Sequence, residues 1–253
     1  MMEVVVKDLA YTYNHNAPPV QALDQLNLRV QSGEFVAIIG SNGCGKSTLL
    51  RLFANLLQPT RGAISLGGLP PAQIAANRRV VWMAQNPALL PWYTARQNIL
   101  LAQRFARTPP EKNVSADELL SLVGLGEFSS AYPHAFSGGM QQRLSLARAL
   151  AMNADLWLMD EPFAALDELT RERLTIQLSE IWQRRRPTVL WVTHSIPEAV
   201  RLADRVLVMT PRPGRFYGEV RISLPRPRED TTLEFQTYVR KLKQMLVSGG
   251  ETG

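Results

Sequence analysis

Nothing in this sequence constrains the fold as tightly as Gly40 to Thr48, which reads GSNGCGKST. An apolar run, Phe35 to Ile39, leads into it, and a helical pattern, Leu49 to Leu57, follows. Strand, glycine-rich turn and helix in that order are the setting in which this motif cradles phosphate. Gly40, Gly43 and Gly45 let the backbone of Ser41, Asn42 and Cys44 fold tightly, with N–H groups turned inward. Those donors and the N-terminus of the following helix suit anionic oxygens. Lys46 brings a point charge to the β- and γ-phosphates, Ser47 offers a hydroxyl to Mg²⁺, and Thr48 closes the loop. The pattern implies a nucleoside triphosphate site.

The 253 residues leave room for one large domain, or for a core carrying an inserted subdomain. There are 28 basic and 22 acidic residues, a net charge of +6, with arginines clustered at 184–186 and at Arg212, Arg215, Arg221, Arg226 and Arg228. Such a balance favours an anionic partner without choosing among nucleotide, membrane surface and nucleic acid. No apolar stretch approaches the ~20 residues of a membrane-spanning helix. The start, MMEVVVKDLA, lacks a signal-peptide layout, so a cytoplasmic location is expected. A lone cysteine, Cys44, excludes an internal disulfide and a cysteine-built metal site. Its place in the phosphate loop predicts that a bulky thiol reagent obstructs nucleotide binding.

Short strands are expected at Val4 to Leu9 and Leu26 to Val30, with a polar turn over 14–20 between them. Tyr11 and Tyr13 precede that turn, and either can stack on a purine or simply pack. A strand, Gly62 to Leu66, a short helix or turn over 70–78 and a strand over 79–85 follow. Residues 95–132 look mainly helical, broken at 108–113 and at Gly124 to Gly126, and about 86–150 is expected to form a helical insertion. The α/β pattern then resumes with strands at Asp155 to Met159, Thr188 to Thr193 and Arg205 to Met209, and a last hairpin strand over 218–224. Phe235, Tyr238, Val239, Leu242, Met245 and Leu246 fall on one face of a C-terminal helix, 231–247, expected to pack on the core. The tail 248–253 is expected to be disordered, and 1–230 to form the main domain.

Asp160 and Glu161 end a buried strand. An aspartate at the C-terminal edge of a sheet can hold Mg²⁺ across from Ser47, and the adjacent glutamate can orient or deprotonate an attacking water. His194 also ends a strand at the edge where substrate lies in this architecture, and a neutral imidazole there can bond the γ-phosphate and the water. Gln85, at another strand end, can contact metal and water. The segment 136–143, FSGGMQQR, opens a helix with Ser137 as N-cap, and Gly138 and Gly139 expose backbone N–H groups. That makes a second anion-binding surface, more than one bound ATP needs unless two copies meet face to face.

Together these segments resemble the ATP-binding subunits of ABC transporters across nearly the whole chain. The loop at 40–48, Gln85, the signature-like FSGGMQQR, LWLMDEP (156–162), AALD (164–167) and His194 carry the resemblance. It implies a P-loop NTPase (RecA-like) α/β core, an antiparallel β-subdomain and an inserted helical signature subdomain. It favours Tyr13 over Tyr11 as the adenine-stacking aromatic. It implies ATP and Mg²⁺ as cofactors. Ser47, Gln85 and Asp160 would hold the metal; Glu161, His194, Lys46 and Gln85 would be catalytic. The implied assembly is a head-to-tail dimer sandwiching two ATP, in which Ser137, Gly138, Gly139 and Gln141 of one copy meet nucleotide on the other.

Residues 89–99 and 201–216 are similar to importer ATPases for nitrate, taurine and aliphatic sulfonates. The resemblance thus implies an integral membrane permease and an extracytoplasmic solute-binding protein as partners, a place on the inner face of the bacterial plasma membrane, and no direct nucleic-acid contact. Two departures stand out: Ser195 follows His194 where aspartate is common, and Ala164 opens the 164–167 segment in place of serine. Two other classes stay open: an ATPase of this type acting on nucleic acid or ribosomes, and a non-catalytic ATP-binding scaffold.

Overall fold

In the computed structural model, which describes residues 1–14, 18–106 and 114–251, the first two strands pair antiparallel as β1 (Val4–Tyr13) and β2 (Val20–Val30). Strand β1 runs past the expected end at Leu9 to Tyr13, with bulges between Val6 and Thr12 absorbing the irregular register. Asp8 and Gln25 take positive φ angles of 45° and 51°, and the Asn27 side chain accepts from the Asp8 N–H at 2.9 Å. Of the expected turn at 14–20, residues 15–17 lie outside the described residues. Next come β3 (Phe35–Gly40), α1 (Lys46–Phe53), β4 (Arg61–Leu66), α2 (Pro71–Ala76) and β5 (Val80–Met83). Strand β4 joins the free edge of β1, giving an antiparallel sheet in the order β2-β1-β4.

Helices α3 (Ala95–Phe105), α4 (Ala116–Leu122) and α5 (Gly138–Ala151) follow, with 3-10 turns at Gly126–Phe128 and Pro133–Ala135. The break expected at 108–113 lies outside the described residues. The chain then returns through β6 (Leu156–Asp160), α6 (Glu168–Arg185), β7 (Thr188–Val192), α7 (Ile196–Leu202), β8 (Arg205–Met209), β9 (Phe216–Arg221) and α8 (Leu233–Glu251). The second sheet has the order β5-β6-β7-β3-β8-β9, parallel throughout except for the antiparallel edge strand β9. This is the RecA-like core with its antiparallel β-subdomain.

The inner strands of that sheet are buried along nearly their whole length and mainly apolar, because both faces are covered, with polar residues such as Asp160, Thr188 and Arg205 at their ends. Phe35, Ala37 and Ile39 of β3 face one core with Trp157 and Met159 of β6 and Trp191 of β7. Val36 and Ile38 face the other, shared with the β-subdomain, as do Leu158 and Leu190. In the first core Trp182 of α6 stands edge-on to Phe35 at 5.7 Å, and Phe163 meets Trp191 at 5.1 Å. Helix α8 packs on this core through Phe235, Val239 and Leu242, with Tyr238, Met245 and Leu246 half-buried against it. The helix runs on through Glu251, so 248–251 of the tail expected to be disordered are helical, while 252–253 lie outside the described residues. Gly249 is buried against the Tyr217 ring, where an added Cβ would sit 3.1 Å from the ring, so lacking a side chain lets the last turn dock.

Several arginines of the two clusters are engaged within the fold, while Arg184, Arg212 and Arg221 stay exposed. Arg186 and Arg226 both lie 4.4 Å from the Trp182 ring centroid, and Arg226 pairs with Asp204 at 2.9 Å. Arg228 donates to the carbonyls of Val200 and Ala203, each at 2.6 Å, closing the C-terminal end of α7. Burial, with the nearby Arg226 charge, lowers its pKa to about 10. Arg215 pairs with Asp24 of β2. Among the described residues no helix is long and apolar enough to cross a membrane.

Candidate functional site

The phosphate loop links the C-terminal end of β3, in the middle of its sheet, to α1, so it sits where open α/β sheets bind ligands. Helix α1 begins at Lys46, three residues before the expected start. Gly45 precedes it with φ 101°, and any Cβ there would lie 2.5 Å from Leu23 Cδ2. Lys46 is buried and its Nζ donates to the carbonyls of Gly40 and Ser41, both at 2.9 Å. The loop thus wraps around its own lysine.

A cleft of ≈ 590 Å³ opens above the loop. Its wall includes Asn42, Gly43, Gly45, Lys46, Ser47 and Thr48, together with Tyr13, Gln85, Glu161 and His194 from distant parts of the chain. Tyr13 is held by a 3.1 Å hydrogen bond between its hydroxyl and that of Thr48. Tyr11 is buried in the β-subdomain core and contacts Tyr13 edge-on at 4.8 Å. The tyrosine that packs and the tyrosine that faces the cleft are therefore distinct, and Tyr13 is the one at the cleft.

Beneath the loop, Ser47 Oγ donates to Asp160 Oδ1 at 3.0 Å. Burial raises the Asp160 pKa, and the Ser47 hydrogen bond pulls it partly back. Glu161, just past β6, has a left-handed φ of 48°, which costs a residue with a Cβ about 1–2 kcal/mol. Its N–H donates to Val192 O at 2.9 Å, and that turn aims the carboxylate into the cleft. There Oε2 accepts from Gln85 Nε2 at 3.2 Å and lies 3.4 Å from His194 Nδ1. Two side chains expected at strand ends, Gln85 and His194, thus converge on one oxygen of a third, Glu161.

Gly40, Ser41 and Cys44 contribute to the loop without lining the cleft. The Cys44 side chain is fully buried and faces the core, so a thiol reagent must first open the loop; direct obstruction of the cleft is corrected on that ground. Asp160 lies under Ser47, outside the lining. Ser137 caps α5 by accepting from Met140 N, as expected, but Ser137, Gly138, Gly139 and Gln141 lie away from this chain's own cleft. The Gln141 amide turns to the carbonyls of Pro133 and Phe136, at 3.0 and 3.3 Å. Its neighbour Gln142, buried, instead donates to Glu161 O at 3.4 Å, tying the signature helix to the acid. Sequence reasoning passed over Gln142, since adjacent glutamines on a helix look alike until one knows which face is covered. It also missed Arg212, which lines the cleft from the far side of the β8–β9 turn.

Residues 23–164 match the family model described as ABC transporter. The chain is 43% identical to an uncharacterized ABC transporter ATP-binding protein of Methanocaldococcus jannaschii, over 97% of this chain and 91% of the relative. It is 47% identical to a nitrate import ATP-binding protein of Synechococcus elongatus (83% and 78% covered). It is also 45% identical to a taurine import ATP-binding protein of Rhizobium johnstonii (84% and 80%). Among solved structures, a dimeric post-hydrolysis state of an ATP-binding cassette bound to ADP and Pi superposes with a TM-score of 0.78. Its identity is 30%, covering 88% of this chain and all of that one.

Proposed function

From the premise that this chain belongs to the ABC transporter ATP-binding proteins and hydrolyses ATP, we propose that hydrolysis drives import of a small solute through a separate membrane permease. The solute class is an organic or inorganic anion such as nitrate, taurine or an aliphatic sulfonate. The observation that carries this reading is the likeness, over more than four fifths of the chain, to proteins named for nitrate and taurine import. An extracytoplasmic solute-binding protein would deliver the solute, and the chain would work at the cytoplasmic face of the plasma membrane. A permease contact is supported by the segment after Gln85. Asn98, fully buried, bonds the carbonyls of Leu90, Tyr93 and Thr94, and Arg148 holds Ala88 O at 2.6 Å. On that fixed segment Trp92 stays 67% exposed.

In the proposed mechanism Tyr13 stacks on adenine, the loop N–H groups and Lys46 hold the phosphates, and Glu161 takes a proton from water as its oxygen attacks the γ-phosphorus. The bond to the β–γ bridging oxygen breaks and ADP leaves. Gln85 and His194 hold the Glu161 carboxylate and the water in line. Ser47 and Asp160 fit Mg²⁺: both offer hard oxygen donors, and this ion uses few protein ligands beside phosphate and water. Mg²⁺ bound there would neutralise phosphate charge. The exposed Ser137 and Gly138, remote from this chain's own cleft, support a head-to-tail dimer in which each copy closes the other's site. The dimeric cassette of similar fold supports it too. We assign 1–230 to the ATPase domain, about 86–150 of it to the helical subdomain, and 231–247 to the C-terminal helix, which runs on to Glu251.

The test is a pull-down from detergent-solubilised membranes with Glu161→Gln as bait and ATP present. Recovery of a multi-spanning permease is expected. Recovery of ribosomes or nucleic acid with no membrane partner would overturn the import reading while leaving the ATPase intact.

A further inference from the structure

We infer that Arg212 is a second cationic contact for the nucleotide's phosphate chain, carried on a turn that is built into the phosphate loop. This rests on the nucleotide site proposed above and adds a residue to it. Arg212 lies in the turn between β8 and β9, lines the cleft and is exposed. Among the described residues no carboxylate or carbonyl engages its guanidinium, in contrast to Arg215, Arg226 and Arg228 nearby. An unpaired guanidinium at the mouth of a site for a polyanion is a ready partner for phosphate oxygens.

The turn that carries it has little freedom. Gly214 N donates to Ala22 O at 2.9 Å, and Asp24 N donates to Gly214 O at 3.1 Å. The Thr210 hydroxyl accepts from Arg215 N at 3.0 Å, and Arg215 pairs with Asp24. Gly214 also presses on the loop itself: an added Cβ would lie 2.1 Å from Cys44 O. Arg212 is therefore two residues from a backbone contact with the same loop that holds Lys46. Its charge is placed by three joined elements, β2, the phosphate loop and the turn, and only its own side chain needs ordering when nucleotide binds.

The test titrates a fluorescent ATP analogue, MANT-ATP, into wild type, Arg212→Gln and Arg212→Lys at low and high salt, with adenosine as competitor and a thermal melt of each variant. Arg212→Gln is expected to weaken MANT-ATP binding by about 5–30-fold at low salt. It should also flatten the salt dependence, as loss of a screened ionic contact requires. Arg212→Lys should keep most of the affinity, adenosine should compete equally in all three, and the melts should coincide. Unchanged MANT-ATP affinity in Arg212→Gln would overturn the inference, as would a loss insensitive to salt or shared by adenosine. Failure of the wild type itself to bind MANT-ATP would sink the nucleotide site, and Arg212 with it.

Discussion

Replacing Gly214 by alanine tests whether the β8–β9 turn and the phosphate loop are one packed unit. The new Cβ would fall 2.1 Å from Cys44 O and 2.8 Å from Met209 Cε. The methionine tip can move aside. The carbonyl cannot move without displacing the loop, and the turn is held on its other side by the Ala22 and Asp24 hydrogen bonds. Overpacking usually costs 1–3 kcal/mol, and an obstacle made of backbone puts this case at the upper end, about 3 kcal/mol. For a chain of this size 1 kcal/mol corresponds to about 2–4 °C, so Tm should fall by about 6–12 °C. Gly138→Ala is the control. Nothing lies within 4 Å of a Cβ there, and the residue opens α5, so Tm should hold or rise slightly. Melts followed by circular dichroism, paired with MANT-ATP titrations, read both effects. A Gly214→Ala protein that melts with the wild type and binds nucleotide equally would refute the reasoning.

Glu161→Gln should lower phosphate release by about 10²–10⁴-fold while leaving ATP binding intact, and a normal rate would remove the glutamate from the chemistry. Lys46→Ala loses both a phosphate contact and the two carbonyl bonds that shape the loop, so filter binding should show no productive ATP capture. Glu198 is buried and accepts from Trp191 Nε1, and burial raises its pKa. The folded protein therefore holds this proton more tightly than the unfolded chain. The resulting stability is fully present below the ordinary carboxylate pKa and is lost as pH rises through the raised one. Glu198→Gln keeps the acceptor and drops the charge, so the Tm advantage of the variant should grow from acid to alkaline pH. A constant difference across the range would contradict the linkage.

Much of the site was legible in the sequence because parallel strands covered on both faces read as apolar runs, and the chemistry sits where those runs stop. Gly40, Asp160 and His194 could be placed in that way without coordinates. The bulged continuation of β1 was hidden because Asp8 interrupts the apolar pattern, and its hydrogen bonds with Asn27, across the sheet, appear only in the fold. The convergence of Gln85 and His194 on Glu161 Oε2 depends on strand order, which no local pattern carries. Arg212 was visible only as part of a charge cluster. What separates it from Arg215, Arg226 and Arg228 is the partner each finds in the folded chain. Helix α8 outlasted its expected end for a similar reason, since glycine lowers helix propensity locally while Gly249 gains a tertiary contact.

The central claim is that ATP is hydrolysed in a site completed by a second copy of the chain, and one measurement addresses it most directly. Phosphate release at saturating ATP and Mg²⁺ should be followed across a series of protein concentrations. The account predicts that turnover per chain climbs with concentration and then levels off as dimers fill. Turnover per chain that stays flat down to the most dilute sample, or that never rises above the no-protein blank, would contradict it.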